Sequence, residues 1–414
     1  MKAIIPLYGL ILLFSPAIRA QETNASGNYA RESIQNSQIG WMKMLQFNEP
    51  AKPYAQNGWN YTVKQMEAMR QIATWLQQTF TPRGLLGEVR MSLLAPPPSE
   101  PATSKYYTFN EAEKNNRNAL PNTYGAFAKC YFLLKKTDTK KFWPQGDYSF
   151  SWYIMINNLE LITKQMVALS SPDEFYFTMP GYSSGIKGEF DKEWLEKDAR
   201  YRNFSDAPNL KPYQHYLLPP KIADYGNQPY YVVILTKDQQ PLPFKQITVG
   251  ELISRLEKQL PVMYSIAINN GTRVENLLDR AKKGLQTLKE KFSNNLNDQV
   301  YIDNPATQID ILRLAEIEPG KNIYWLKTQA ITKENSGYSS TAFPLLTIRK
   351  GVKEACATGQ PQWIVCRLEK GTEPNNAGEI DLMDNFVSRF NYQYLYNYFL
   401  GKEKPAQPYT ALDK

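Results

Sequence analysis

One arrangement in this sequence spells out a reaction. Gly181-Tyr182-Ser183-Ser184-Gly185 fits G-x-S-x-G. That spacing sets a serine on a sharp strand-to-helix turn, with its hydroxyl raised for attack on a carbonyl. The serine then needs a strand before it, a helix after it and a downstream histidine to take its proton. Residues 175–178 read as a strand, but Met179-Pro180 intervenes, and IKGEFDKEW follows. The only histidine, His215, lies in a proline-flanked KPYQHYLLPP. Upstream βαβ layers are missing. The simple reading of 181–185 is a Gly/Ser turn, and of His215 a partly exposed, hydrogen-bonded loop residue. Ser183 and His215 stay as the residues of a serine-esterase alternative.

Carboxylates need no histidine. Glu189, Asp191 and Glu193 cluster beside Trp194. Two carboxyl groups with separated pKa values are enough to hydrolyse a glycosidic bond, so Glu189 and Glu193 are the candidates for a glycan hydrolase. The simpler reading is a solvated helix start, where acids suit the positive end of the helix dipole.

Metal and cofactor chemistry is narrowed by what is scarce. One His and three Cys exclude most zinc, haem and iron–sulfur sites, which need several imidazoles or thiolates. Asn and Asp recur from 294 to 310, an oxygen-rich stretch suited to Ca²⁺, but without the D-x-[DN]-x-[DN]-G pattern. A helix end followed by a turn explains it. Phosphate-cradling and dinucleotide signatures are absent. We expect no cofactor and no metal.

Cys356 and Cys366 flank ATGQPQWIV, which holds a Gly-Gln-Pro turn signal. In an oxidising compartment a disulfide between adjacent strands fits that spacing, with two buried thiols as the alternative. Cys130, in FAKCYFLL, reads as an inert core thiol. The chain is rich in rings, with 27 Tyr and 8 Trp. They can fill a core, stack on sugars or line an interface. Tyr392, Tyr394, Tyr396 and Tyr398 recur at every second position. On a helix they spread around its circumference, so that helix is expected to be enclosed.

The first twenty residues carry Lys2, an apolar run over 3–14, a break at Ser15-Pro16-Ala17 and a small residue, Ala20. The run is shorter than the roughly 20 residues of a membrane-spanning helix. The layout is that of a secretory signal peptide cleaved near Ala20. A soluble chain in the periplasm or outside the cell is expected, with no transmembrane segment after cleavage. The formal charge is +8, from Lys and Arg spread along the chain with no run beyond a Lys-Lys pair. Nucleic-acid binding wants clustering on one face, so no nucleic-acid partner is expected. Anionic glycans or lipid headgroups are the minor alternative to a solvated surface, and a glycan or an envelope protein is the partner considered.

The elements that would hold these residues follow from periodicity. Thr62 and Gln65 form a capping box ahead of a helix over 63–80, whose face is Met66, Met69, Ala73, Leu76 and Phe80. Thr248/Glu251 and Thr272/Glu275 open two more helices, the first marked by Leu252, Leu256 and Leu260. A last helix is expected over 380–400. Strand patterns fall near 89–93, 125–134, 148–157, 175–178, 231–236, 300–302, 323–328, 343–349 and 363–368. A turn is expected at 143–147, a short helix over 162–169 and another around 190–202. A Pro-rich connector spans 95–104. Runs of strands with separate helices point to α+β: antiparallel sheets with packed amphipathic helices. Two units are expected, 21–179 and 230–400, joined by an irregular stretch at 180–229 and followed by a polar tail at 401–414. The leading functional expectation is an exported, non-catalytic ligand- or partner-binding protein of the cell envelope or exterior. The alternative is a secreted hydrolase acting on glycans through paired carboxylates.

Overall fold

The structure is a computed structural model. It describes residues 40–44, 51–56, 59–94, 120–135, 141–163, 165–171, 174–179, 207–222, 229–269, 275–303, 342–369 and 377–413. The expected signal peptide at 1–20, the connector at 95–104, the helix at 190–202 and the strand at 323–328 lie outside them. So do Ser183, Glu189 and Glu193.

The first strong element forms as its sequence dictates. Helix α1 (Val63–Thr79) starts at a complete capping box. The Thr62 hydroxyl accepts from the Gln65 N–H at 3.2 Å, and the Gln65 carboxamide accepts from the Thr62 N–H at 2.8 Å. Its apolar stripe, including Met69, Ile72, Ala73, Trp75 and Leu76, is buried. Gln65 also donates to the Cys356 carbonyl at 3.1 Å, tying the helix start to the far end of the chain.

The stripe lies on a seven-stranded sheet. Its strands are β1 (Trp41–Met44), β4 (Leu85–Leu93), β5 (Tyr124–Lys135), β6 (Phe142–Ile156), β9 (Gln214–Ile222), β10 (Pro229–Thr236) and β14 (Trp363–Glu369). Their order is β1-β4-β5-β6-β14-β10-β9. All neighbours are antiparallel except β1 with β4. A small hairpin, β2 (Tyr54–Gln56) and β3 (Trp59–Tyr61), stands apart. Strands from both sides of 180–229 share this sheet, through β6 pairing with β14. At Gly125 an added Cβ would stand 2.1 Å from the Ile154 carbonyl oxygen, so β5 and β6 need glycine there.

One sheet face carries the helices. Helix α5 (Ala377–Ser388) and helix α6 (Tyr392–Phe399) join α1. Trp152 of β6 stacks on Phe386 at 5.1 Å, and Phe80 meets the same ring. The opposite face meets a second sheet, made of β7 (Gln165–Ser171), β8 (Glu174–Thr178), β11 (Phe244–Gln246), β12 (Tyr301–Asp303) and β13 (Ala342–Ile348). The joint is aromatic: Trp363 meets Phe244 edge-on at 5.3 Å, and Phe244 meets Phe177 at 4.9 Å. The outer face of the second sheet packs on α2 (Val249–Asn269) and α3 (Glu275–Lys291) in a separate apolar cluster that includes Leu256, Leu285, Leu288 and Leu345. A short helix, α4 (Val352–Ala357), bridges β13 and β14. The fold is α+β. No described helix is long and apolar enough to cross a membrane.

Several local expectations change. Residues 143–147 continue β6 and do not form a turn. The expected helix over 162–169 gives way to β7, because pairing with β8 outweighs the weak local pattern. The stretch 180–229 contains β9. The last helix is two: Asn391 caps α6 by accepting from the Tyr394 N–H at 2.9 Å, and this cap breaks the expected 380–400 run. In the tail Tyr409 is buried against Trp75, and its hydroxyl pairs with that of Thr79.

Asn157, at the end of β6, is buried with φ 55. Its carboxamide oxygen accepts from the N–H groups of Gln362 and Trp363 at 2.7 and 3.4 Å, and its own N–H donates to the Trp363 carbonyl at 3.0 Å. Asn157→Ala should lower unfolding free energy by about 3 kcal/mol, from orphaned amides and a strained left-handed backbone. Asn157→Gly should lose roughly 1 kcal/mol less, because glycine accepts that backbone. Urea unfolding followed by tryptophan fluorescence measures both; equal losses would show that the backbone conformation carries no cost.

Candidate functional site

The second sheet alternates its side chains. Phe177, Phe244 and Leu346 face the seven-stranded sheet. Tyr176, Lys245 and Thr347 fall on the other face and share one register row, since Thr347 pairs with both Tyr176 and Lys245. This row floors an open cleft of about 660 Å³. One wall is the start of α2, with Gly250, Glu251, Ser254, Arg255 and Lys258. The other is the turn into α4, with Arg349, Lys350 and Gly351, and the first turn of α4, with Lys353 and Glu354.

The start of α2 explains its wall. Thr248 and Glu251 make the expected capping box: the Thr248 hydroxyl accepts from the Glu251 N–H at 3.3 Å, and the carboxylate accepts from the Thr248 N–H at 3.0 Å. Leu252, Leu256 and Leu260 go into the core. Glu251, Arg255 and Lys258, at i, i+4 and i+7, line the cleft instead.

The lining is strongly basic. Among the described residues, Lys245, Arg255, Lys258, Arg349, Lys350 and Lys353 set six cations against the carboxylates of Glu251 and Glu354. Glu251 is already engaged by the Lys245 ammonium. Burial would raise the Glu251 carboxyl, but Lys245 and the Thr248 N–H outweigh it and hold the group below the ordinary carboxylate range. Arg255 is only 9% exposed, and its guanidinium lies over the Tyr176 ring, 5.6 Å from the centroid. Burial, then the Glu251 charge, pushes the Tyr176 phenol up to about 12, so it stays neutral. The Arg349 guanidinium donates to the Phe244 carbonyl at 3.0 Å. Among the described residues, Lys258, Lys350 and Lys353 have no carboxylate within ion-pair distance. Chemically this is a preformed field for oxyanions, with Ser254 and Thr347 hydroxyls inside it.

Of the sequence-derived site candidates within the described residues, His215, Cys356 and Cys366 do not line this cleft. His215 is not in a loop: it sits on β9, buried, with Nδ1 2.6 Å from the Thr236 hydroxyl of β10. It falls at the bulge between the Tyr216 and Gln214 pairings with β10, which turns it inward despite the flanking prolines. The Cys356–Cys366 bridge is not formed, and all three cysteines are free and buried. Cys356 lies on α4 and Cys366 on β14, so the two do not sit on adjacent strands as expected. Burial raises all three thiols, Cys356 to about 12. Among the described residues no three His, Cys, Asp or Glu side chains gather as a metal site. Sequence reading missed the cleft because its cations come from three separated segments; only the i, i+4, i+7 set on α2 was visible as a pattern.

No family model matches this chain, and no curated protein or solved structure matches it.

Two outcomes follow. The native protein should react with none of its thiols toward a disulfide reagent, and with three once unfolded in guanidinium without reductant; a count of one would restore the bridge. Glu251→Gln keeps the capping box and removes the charge. It should cost at most about 0.5 kcal/mol at pH 7, because the pair is half exposed. A carboxyl held low in the folded state stabilises above its unfolded pKa and loses that effect as pH falls through its folded one. Urea melts from pH 7 downward should therefore show the difference at pH 7 shrinking as the carboxyl takes up its proton, and gone once it is protonated in both states.

Proposed function

We propose that this is an exported, non-catalytic ligand-binding protein of the cell envelope or exterior, and that the basic cleft receives an oxyanion-bearing ligand. The observation that carries this reading is the convergence of six cations from β11, α2 and the β13–α4 turn on one concavity, with Arg255 buried over Tyr176. Its size falls within the ~300–1,000 Å³ of small-molecule clefts. The first twenty residues, with Lys2, an apolar run and Ala20, support export. The one lining carboxylate at the foot of α2 is tied to Lys245, which suits a binding role better than proton transfer.

Tripolyphosphate serves as a charge probe. Calorimetric titration into the chain from Gln21 onward should give saturable binding that weakens as salt rises, since exposed charges are screened within about 10 Å at 0.1 M. Lys258→Glu with Lys353→Glu, both on accessible positions, should lower affinity by roughly tenfold or more without changing the unfolding midpoint. Absence of binding, or binding indifferent to these substitutions, would remove the cleft from function. Turnover of chromogenic glycosides or esters would overturn the non-catalytic reading.

A further inference from the structure

We infer that the ligand of the cleft is an acidic oligosaccharide, one that carries uronate or sulfate groups on a hydroxylated frame. This rests on the cleft being a ligand site and names the chemistry that would fill it. The lining is not a plain anion trap. Glu251 is committed to Lys245 and to the Thr248 cap, but a site for bare oxyanions gains nothing from a second carboxylate, and Glu354 lines it, exposed beside Lys353. Carboxylates accept hydrogen bonds from hydroxyls, and the hydroxyls of Ser254 and Thr347 both donate and accept. Cations interleaved with acceptors therefore match a molecule with anionic groups and sugar hydroxyls in alternation.

Two other polyanions fit less well. Single-stranded nucleic acid is held by bases stacked on exposed rings. Among the described residues Tyr176 is the one aromatic side chain of the lining, and the Arg255 guanidinium covers its face. An anionic membrane surface is held by cations together with apolar side chains that enter the interface. Ile247 of the lining is buried in the α2–α3 core, and Ile348 packs on the main core, so neither stands out as an anchor. The concave shape and its volume of about 660 Å³ suit a few sugar rings.

The test titrates the full mature chain with trigalacturonate, a heparin-derived hexasaccharide, neutral maltohexaose, tripolyphosphate, a thymidine dodecamer and anionic phosphatidylglycerol vesicles. The two acidic oligosaccharides should bind and maltohexaose should not. Trigalacturonate should match or exceed tripolyphosphate although it carries less charge. The Lys258→Glu, Lys353→Glu chain should lose both. Glu354→Gln is the discriminating variant, since it replaces a charged double acceptor by one weaker neutral acceptor and removes a repelling charge. It should weaken trigalacturonate by roughly three- to tenfold, and leave tripolyphosphate equal or tighter. Tripolyphosphate binding in the cleft, with the oligosaccharides weaker or with Glu354→Gln strengthening every anion alike, would overturn the glycan inference and leave the oxyanion cleft standing. Tightest binding by the dodecamer or the vesicles would assign a different class of partner. Failure of every probe would take down the cleft reading and the glycan inference together.

Discussion

The buried Asn157 carboxamide, held against the backbone of Gln362 and Trp363, is the constraint from which the rest of the architecture follows. Asn157 turns the chain out of β6 in a left-handed conformation that an L-residue tolerates poorly and asparagine tolerates best. That turn lets its side chain imitate the next rung of a strand. It receives the first residues of β14, and Trp363 in turn donates its indole N–H to the Asn158 carbonyl at 3.0 Å. The register of β14 between β6 and β10 is thereby set at one end. Among the described strands β14 is the one that β6 and β10 share as a partner, so the seven-stranded sheet is continuous through this point.

The same residue reaches across the layers. Trp363 meets Phe244 of β11, and Phe244 meets Phe177 of β8. Three large rings in contact contribute both burial and geometry, since edge-on pairs fix orientation as well as distance. They place the second sheet on the first. The alternate residues of those strands, Lys245 and Tyr176, are then obliged to point the other way, toward α2. The floor of the cleft is thus a consequence of the core that lies behind it. A change at the Asn157–Trp363 joint would be felt at the cleft through β11.

Much of this was legible in the sequence where the signal was local. Capping boxes at Thr62/Gln65 and Thr248/Glu251 announced two helices, and both boxes close as written, because a cap needs only residues three apart. The strands over 124–135, 229–236 and 363–369 showed in their β-branched and aromatic runs. What failed depended on distant partners. The segment over 165–171 has no strong pattern of its own and becomes a strand through β8. Cys356 looked strand-bound because its neighbours are apolar, but the turn before β14 is short enough to hold one helix, α4. The even spread of Lys and Arg along the chain hid the cleft, since 245, 255–258 and 349–353 become neighbours only after β11 pairs with β13. Arg255 sits among core leucines in sequence, and nothing local tells a buried guanidinium from a solvated one.

The cleft also carries a cost that stability alone does not explain. Like charges gathered on one concavity repel. Lys258, Lys350 and Lys353 are set where neither packing nor a carboxylate partner requires a cation. Arg255 gives up most of its hydration to lie over Tyr176. A protein free to relax would exchange several of these for neutral residues at a gain. Sites where local choices work against the fold are the places where natural sequences serve a ligand. On the proposed reading the strain is relieved when the cleft is filled, and the filling molecule brings negative charge in several places at once. On the same reading the exposed carboxylate of Glu354 is the selective element, since it penalises a dense anion and accepts a sugar hydroxyl.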